Sequence, residues 1–120
     1  MDDLALLEDA RRAAERAYAP YSGLAVGAAV LARDGRVFRG ANVENASLGL
    51  TLCAERAALA RAVADGVRPG EVEAVAATSP PCGGCRQWLV EFAADRVVFI
   101  HAGETVARRP EELLPDAFTL

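Results

Sequence analysis

Three cysteines in two short segments constrain the fold of this chain more than any other feature of its sequence. One segment is Cys53-Ala-Glu55-Arg56, and the other is Pro81-Cys82-Gly-Gly-Cys85-Arg86-Gln87. Cys82 and Cys85 are too close in sequence to staple a fold, and an odd number of cysteines is unlike a disulfide framework. The thiols are therefore better suited to metal or redox chemistry, and a fold that uses all three must bring two distant segments together.

The hydrophobic pattern predicts helices alternating with strands. Apolar residues at three- and four-residue intervals predict an amphipathic helix from Asp2 to Tyr18, ended by Pro20. A β-hairpin is predicted over 25–32 and 36–43, with the tight-turn dipeptide Asp34-Gly35 between its strands. The remaining predicted elements are a helix over 51–65, a strand over 72–78, a helix over 83–93, a strand over 97–101, a short strand over 104–106 and a helical turn over 110–114.

This order of elements predicts an α/β fold, a three-layer α/β/α sandwich whose mixed sheet is antiparallel at one edge and parallel elsewhere. A length of 120 residues predicts a single domain over residues 1–120. Aromatic residues make up only 6% of the chain and its apolar fraction leans on alanine, so subunit association would add useful burial. We therefore expect an oligomer.

The charge of the chain excludes several classes of partner. Seventeen acidic residues against thirteen basic ones give a formal net charge of −4, the wrong sign for following a polyphosphate backbone. Nucleic acid is not expected as a partner. No apolar run approaches the roughly 20 residues of a membrane span, and the acidic start at Asp2 and Asp3 is unlike a secretory signal. We expect a cytoplasmic protein with no membrane contact.

The cysteines favour a catalytic zinc ion. Each segment begins a predicted helix, and the positive end of a helix lowers the pKa of a thiol and so favours the metal-binding thiolate. Zinc held by three protein ligands keeps its fourth position for water, whereas a structural site usually closes with a fourth Cys or His. The only histidine, His101, lies far along the chain and is interpreted as a bystander. A structural zinc site and a metal-free dithiol redox pair are the alternatives.

Two side chains next to Cys53 complement such a site. Three thiolates leave a zinc centre with a net charge of −1, and Arg56, one helical turn after Cys53, is placed to donate hydrogen bonds to the sulfurs. Glu55 is not needed as a ligand and can carry protons, although alone it would be interpreted as a solvated helix carboxylate. Positions 53 and 55 point apart on a regular helix, so Cys53 must lie at the helix edge. Trp88 is expected in the core or at an interface.

Together these motifs resemble the small homotetrameric zinc-dependent cytidine deaminases. Cys53 stands where the dimeric and nucleic-acid-editing relatives carry a histidine. The resemblance covers nearly the whole chain, including these further motifs: Tyr18-Ala-Pro-Tyr-Ser22, Val26-Gly-Ala-Ala29, Gly40-Ala-Asn42-Val-Glu44-Asn45, Cys85-Arg-Gln87 and Glu112-Leu-Leu-Pro-Asp-Ala-Phe118.

The resemblance implies hydrolytic deamination of cytidine and 2′-deoxycytidine, with release of ammonia, in pyrimidine salvage. It implies about one Zn²⁺ per chain and a homotetramer with shared active sites. The site residues that it implies are Cys53, Cys82 and Cys85 as zinc ligands, Glu55 as general acid and base, Asn42 and Glu44 at the ribose 3′-hydroxyl, and Phe118 reaching into a neighbouring subunit's pocket. Without the resemblance, Asn42 and Glu44 would be interpreted as a polar strand end and turn.

Three positions depart from the family pattern and concern base affinity and substrate range. Leu24 stands where the family usually has an aromatic residue that packs on the pyrimidine, Leu48 replaces a common tyrosine, and the stretch 77–81 is shorter than usual. A deaminase of a modified cytosine nucleoside or nucleoside antibiotic is the nearer alternative function. A non-catalytic zinc-binding interaction module is the other, and the missing fourth ligand disfavours it.

Overall fold

The computed structural model describes residues 1–120, which form five strands and four α-helices in the predicted order. The elements are α1 (Asp3–Ala14), β1 (Gly27–Ala32), β2 (Val37–Ala41), a 3₁₀ helix (Leu48–Leu50), α2 (Ala54–Ala64), β3 (Val72–Ala77), α3 (Gly83–Phe92), β4 (Arg96–His101), β5 (Glu104–Arg108) and α4 (Pro110–Leu113). No helix is long and apolar enough to cross a membrane.

The five strands form one mixed sheet in the order β2-β1-β3-β4-β5. The prediction of a sheet that is parallel beyond one edge is wrong, because only β3 and β4 pair in parallel. The chain leaves the hairpin at the end of β2 and returns through α2 to the other side of β1. Strand β3 therefore pairs with β1 in the antiparallel direction. At the other edge, the tight connection at Ala102-Gly103 makes β5 antiparallel to β4.

Helices cover both faces of the sheet, which confirms the three-layer sandwich. On one face, α1 buries Leu6, Leu7 and Ala10 against small residues of β1 and β3. On the other, α2 and α3 bury Leu59, Leu89 and their neighbours in the larger core cluster. Strand residues alternate between the two clusters because successive side chains of a strand point to opposite faces.

Two glycines let the helices approach the sheet closely. A Cβ at Gly27 would lie 1.9 Å from the carbonyl oxygen of Ala10 in α1. A Cβ at Gly40 would lie 2.4 Å from the nitrogen of Ala58 in α2. Both distances are far below an ordinary contact, so only glycine fits. Gly40 thereby sets the position of the helix that carries Glu55 and Arg56.

Two helices begin or end inside the predicted boundaries, because flanking residues hydrogen-bond to the end of the hairpin instead. Helix α1 ends at Ala14, and Tyr18 donates its N–H to the carbonyl of Asn42 at 3.0 Å. Helix α2 starts at Ala54, and Leu52 exchanges backbone hydrogen bonds of 2.8 and 2.9 Å with Val43. These pairings tie the segment that follows β2 to the start of α2.

Candidate active site

Two helix N-termini bring the three cysteines together. Cys53 is the N-cap of α2 and Cys82 is the N-cap of α3, with extended backbone at both positions. Cys85 lies in the first turn of α3 and is buried. Because Cys53 sits at the helix edge, it and Glu55 can reach one pocket, which meets the geometric condition that the sequence set.

The three sulfur atoms fit a tetrahedral zinc ion. All three lie within 4.8 Å of one another, and the Sγ atoms of Cys53 and Cys82 are 3.6 Å apart. Zn–S bonds of about 2.3 Å at tetrahedral angles place sulfur atoms roughly 3.8 Å apart. No other group of at least three His, Cys, Asp or Glu side chains comes together in this way. The donor set leaves one tetrahedral position free of protein.

Without a cation, the surroundings of the thiols disfavour three thiolates side by side. Burial, together with the nearby carboxylate of Glu55, raises the pKa of Cys85 far above its ordinary value. The pKa of Cys82 is lowered, because hydrogen bonds from the backbone and side chain of Cys85 and from Cys53 outweigh its partial burial. Three thiolates this close therefore require positive charge between them.

Arg56 supplies part of that charge. Its Nη2 donates to the Sγ of Cys53 at 3.1 Å and to the carbonyl of Thr51 at 3.3 Å. The hydrogen bond to Cys53 is the main reason that the pKa of Arg56 is raised, and Cys85 adds to it. The Nε of Arg56 is buried and has no hydrogen-bond partner. The guanidinium is thus held against the sulfurs in partly dry surroundings, where its charge is effective.

Glu55 is buried beside the sulfurs, with 3% of its surface exposed. It occupies the same face of α2 as Leu59, one turn further along the helix. Burial raises its pKa, and its backbone hydrogen bond, the Cys85 thiol and the charge of Arg56 partly offset that rise. A carboxyl group in such surroundings exchanges a proton more readily near neutral pH than a solvated one does.

Asn42 and Glu44 line a pocket of about 200 Å³ together with Cys53, Cys82 and Glu55. The lining residues are Ser22, Leu24, Val26, Asn42, Glu44, Thr51, Cys53, Ala54, Glu55, Ser79, Pro80 and Cys82. The side chain of Asn42 accepts from the N–H of Val26 at 2.8 Å and donates to the carbonyl of Leu24 at 2.9 Å. An amide has two donors and two acceptor sites, so capacity for a further partner remains.

Hydrogen bonds from the loop that follows α1 favour the ionised form of Glu44. Its carboxylate accepts from the backbone N–H groups of Tyr21 at 2.9 Å and Ser22 at 3.1 Å, and from the Ser22 hydroxyl. These hydrogen bonds, led by that of the Ser22 side chain, lower the pKa of Glu44. An orienting role for Ser22 was missed from sequence, although it closes the motif that begins at Tyr18.

Four other residues weighed from sequence lie apart from the sulfurs. Leu24 is at the rim of the pocket with 62% of its surface exposed. Phe118 is 72% exposed and does not line this pocket, but lines a separate groove with Gln87 and Val90 of α3. His101 is exposed at the end of β4, and Trp88 stacks on Phe92 beside an apolar groove between α2 and α3. In the single chain, Leu24 lines the pocket and Phe118 does not.

The two largest grooves hold fewer potential metal ligands than this pocket. One of about 510 Å³ is lined mainly by arginine side chains and backbone, and one of about 500 Å³ is mostly apolar. Neither contains a cysteine. The small pocket is the only one of the three that joins potential metal ligands, a buried carboxyl group and hydrogen-bonding groups.

The family model for the cytidine and deoxycytidylate deaminase zinc-binding region matches residues 1–101, which include all three cysteines. The chain belongs to this family. A cytidine deaminase from Halalkalibacterium halodurans is 48% identical over 99% of this chain and 96% of its own length. One from Mycobacterium tuberculosis is 46% identical over 93% of this chain and 86% of its own length.

The architecture is also that of solved cytidine deaminases. The crystal structure of cytidine deaminase from Burkholderia pseudomallei superposes with a TM-score of 0.92 at 48% identity, covering 98% of this chain and all of that one. That of the Mycobacterium tuberculosis enzyme superposes with a TM-score of 0.87 at 44% identity. Zinc is the metal of this deaminase family, and the cluster of Cys53, Cys82 and Cys85 offers it a suitable donor set.

Proposed function

We propose that this protein is a zinc-dependent cytidine deaminase, which hydrolyses cytidine and 2′-deoxycytidine to the uridine nucleosides and ammonia. The observation that carries the proposal is one pocket lined by Cys53, Cys82, the buried Glu55, Asn42 and Glu44, with the sulfur of Cys85 clustered against the other two sulfurs. Its near full-length similarity to curated cytidine deaminases supports the same reaction. The reaction is a step of pyrimidine salvage.

Cys53, Cys82 and Cys85 hold zinc in this proposal, and Arg56 offsets the excess negative charge of their thiolates. When bound, zinc supplies a Lewis acid that lowers the pKa of water below its value in bulk solution. Glu55 takes the proton from the attacking water and delivers it to N3 of the cytosine. The water oxygen bonds to C4, and Glu55 then moves the second proton of that oxygen to the amino group, so that the C4–N bond breaks, ammonia leaves and the carbonyl of the uracil base forms. A buried carboxyl group next to the sulfurs is placed for both transfers.

Asn42 and Glu44 recognise the sugar in this proposal. An ionised carboxylate is a strong acceptor for the ribose 3′-hydroxyl, and the amide of Asn42 retains a donor and an acceptor site. Leu24 contacts the base at the rim. Because the rim carries this leucine and no aromatic side chain, the base must gain stacking contact from elsewhere.

Assembly into a homotetramer with shared active sites would supply that contact. The ring of Phe118 is exposed on the single chain, where an isolated protein has little reason to keep a large apolar group. The apolar groove formed by Ala60, Val63, Trp88 and Phe92 is a second surface that association would cover. Each pocket would then receive Phe118 from a neighbouring chain.

The decisive experiment compares the parent with Glu55→Gln in a cytidine assay that follows the loss of ultraviolet absorbance. The amide keeps the shape of the side chain but cannot carry the proton, so kcat should fall about 10²- to 10⁴-fold. Zinc content and the circular dichroism spectrum should stay those of the parent. A variant within a few-fold of parental kcat would rule out the role of Glu55.

The same assay separates the alternative functions. A parent protein that holds zinc but leaves cytidine and 2′-deoxycytidine intact, while deaminating a base-modified cytosine nucleoside, would assign the narrower substrate class. A zinc-loaded protein inactive on every cytosine nucleoside would favour a non-catalytic zinc-binding module. Turnover of cytidine with a kcat/KM above about 10⁴ M⁻¹s⁻¹ would support the proposed reaction.

A further inference from the structure

Arg86 holds the peptide group that precedes Cys82. The residue is half-buried, and its Nε donates to the carbonyl oxygen of Pro81 at 2.9 Å. The backbone N–H of Arg86 donates to the carbonyl of Cys82, also at 2.9 Å. One residue therefore holds the carbonyl groups on both sides of Cys82.

The loop that carries Cys82 has few other hydrogen bonds, although Pro81 itself is buried. Pro80 and Pro81 have no N–H to donate, so this stretch cannot be fixed by its own backbone donors. Cys82 itself is exposed, although its sulfur accepts a weak hydrogen bond from the N–H of Cys85 at 3.5 Å. The contact from Arg86 to Pro81 is the side-chain hydrogen bond that anchors this loop from the N-terminal side of Cys82.

Arg86 and its neighbour Gln87 also hold the C-terminal segment. The Nη1 of Arg86 donates to the carbonyl of Leu113 in α4 at 3.0 Å. The neighbouring Gln87 donates its Nε2–H to the carbonyl of Phe118 at 2.9 Å. The backbone of Phe118 is thus fixed while its ring points into solvent, 72% of the residue being exposed.

We infer that Arg86 and Gln87 are positioning residues that divide two tasks between them. Arg86 positions Cys82 against Cys53 and so retains the metal, and Gln87 positions Phe118 for the pocket of a neighbouring chain. The inference rests on the proposed function, since it assigns these residues to the same zinc and substrate sites. The two tasks have separate readouts, because one concerns metal retention and the other concerns KM.

The first arm measures zinc release from the intact zinc-loaded protein into a chromophoric chelator. Arg86→Met keeps the apolar length of the side chain and removes its side-chain hydrogen bonds to Pro81 and Leu113. Zinc affinity should therefore fall, and zinc release should accelerate by about 10- to 100-fold. The matched control is Arg12→Met, which removes the same charge from an exposed arginine on α1 that makes no side-chain hydrogen bond or ion pair. Its release rate should stay within twofold of the parent.

A spectroscopic readout separates positioning from a general loss of stability. In the cobalt-substituted protein, the sulfur-to-cobalt and ligand-field bands report the geometry of the thiolates. These bands should change in Arg86→Met under conditions where its circular dichroism matches the parent. If Arg86→Met does not fold, Arg86→Lys replaces it. Lysine keeps the charge but cannot donate to the carbonyls of Pro81 and Leu113 at once, so this variant should still release zinc faster than the parent. Parental release and bands in the folded variant would overturn the role of Arg86.

The second arm measures steady-state kinetics of Gln87→Met and of a chain truncated after Leu114. Gln87→Met loses the hydrogen bond that anchors Phe118, and the truncated chain loses Phe118 itself. In both, KM for cytidine should rise at least fivefold while kcat falls by less than threefold. Zinc release should stay within twofold of the parent in both. An unchanged KM in Gln87→Met, or zinc loss as fast as in Arg86→Met, would overturn the division of tasks.

Failure of the proposed function gives a different result from failure of this inference. A parent that holds no zinc and does not deaminate cytidine overturns the function. A parent that does both, combined with an Arg86→Met variant that retains zinc normally, overturns only the inference.

Discussion

Gly40→Ala tests whether the close approach of α2 to β2 sets the geometry of the active site. The new Cβ would lie 2.4 Å from the nitrogen and 2.8 Å from the Cα of Ala58, and 2.6 Å from the carbonyl oxygen of Ala54. Ordinary contacts begin near 3.4 Å, and all three atoms are backbone, so α2 has to move away by about 1 Å. Forcing a methyl group into a packed core costs about 1–3 kcal/mol of the free energy of unfolding.

The displaced helix carries Cys53 at its N-cap, and Glu55 and Arg56 in its first turn. A misplacement of about 1 Å in a catalytic site can cost on the order of 10²-fold in rate. We therefore expect Gly40→Ala to lower kcat/KM for cytidine by about that factor at a temperature where the variant is fully folded.

Urea unfolding followed by circular dichroism measures the first effect, and the ultraviolet cytidine assay measures the second. Gly49→Ala is the matched control, since a Cβ there meets nothing within 4 Å, and it should change stability by less than about 0.5 kcal/mol. A Gly40→Ala variant as stable as that control would refute the packing argument. A destabilised variant with parental kcat/KM would refute the link between the packing and the site.

Four further predictions concern the metal, the sugar and the base. Cys82→Ala should lose its zinc, measured by metal analysis of the purified protein, and full zinc content would contradict the ligand assignment. Glu44→Gln removes a charged hydrogen bond worth roughly 1.5–3 kcal/mol, so kcat/KM for cytidine should fall about 10- to 150-fold while 3′-deoxycytidine, already a poor substrate, loses little more. Equal losses for both nucleosides would argue against contact with the 3′-hydroxyl. Ser22→Ala removes the largest cause of the lowered pKa of Glu44, so that carboxylate should protonate at a higher pH, and KM for cytidine should begin to rise earlier than in the parent as the pH falls from about 7 to 4; superimposable KM profiles would exclude this role. Phe118→Ala should raise KM for cytidine by about 5- to 150-fold if its ring stacks on the base in a neighbouring chain. The activity of the parent should also fall when the protein is diluted below the dissociation constant of the oligomer. An active monomer by light scattering would exclude the shared site.

The sequence alone determined the order of the elements and the identity of the chemical groups. Helical and strand periodicities are local properties, so α2, α3 and the hairpin were predicted close to their observed positions. The spacing of Cys53, Glu55 and Arg56 predicted a cysteine at the helix edge with an arginine one turn later, and the structure has the hydrogen bond that this spacing allows. The chemistry of three thiols without a histidine partner pointed to zinc before any fold was known.

The tertiary structure decided which segments meet. The hydrogen bonds between Val43 and Leu52 help to bring Asn42 and Glu44 into one pocket with Cys53 and Cys82, and no periodicity in either segment encodes that pairing. The same holds for the direction of β3 beside β1 and for the contacts of Arg86 with Pro81 and Leu113. Backbone groups are alike in every residue, so which of them pair is settled by the packing of the whole chain and not by local sequence.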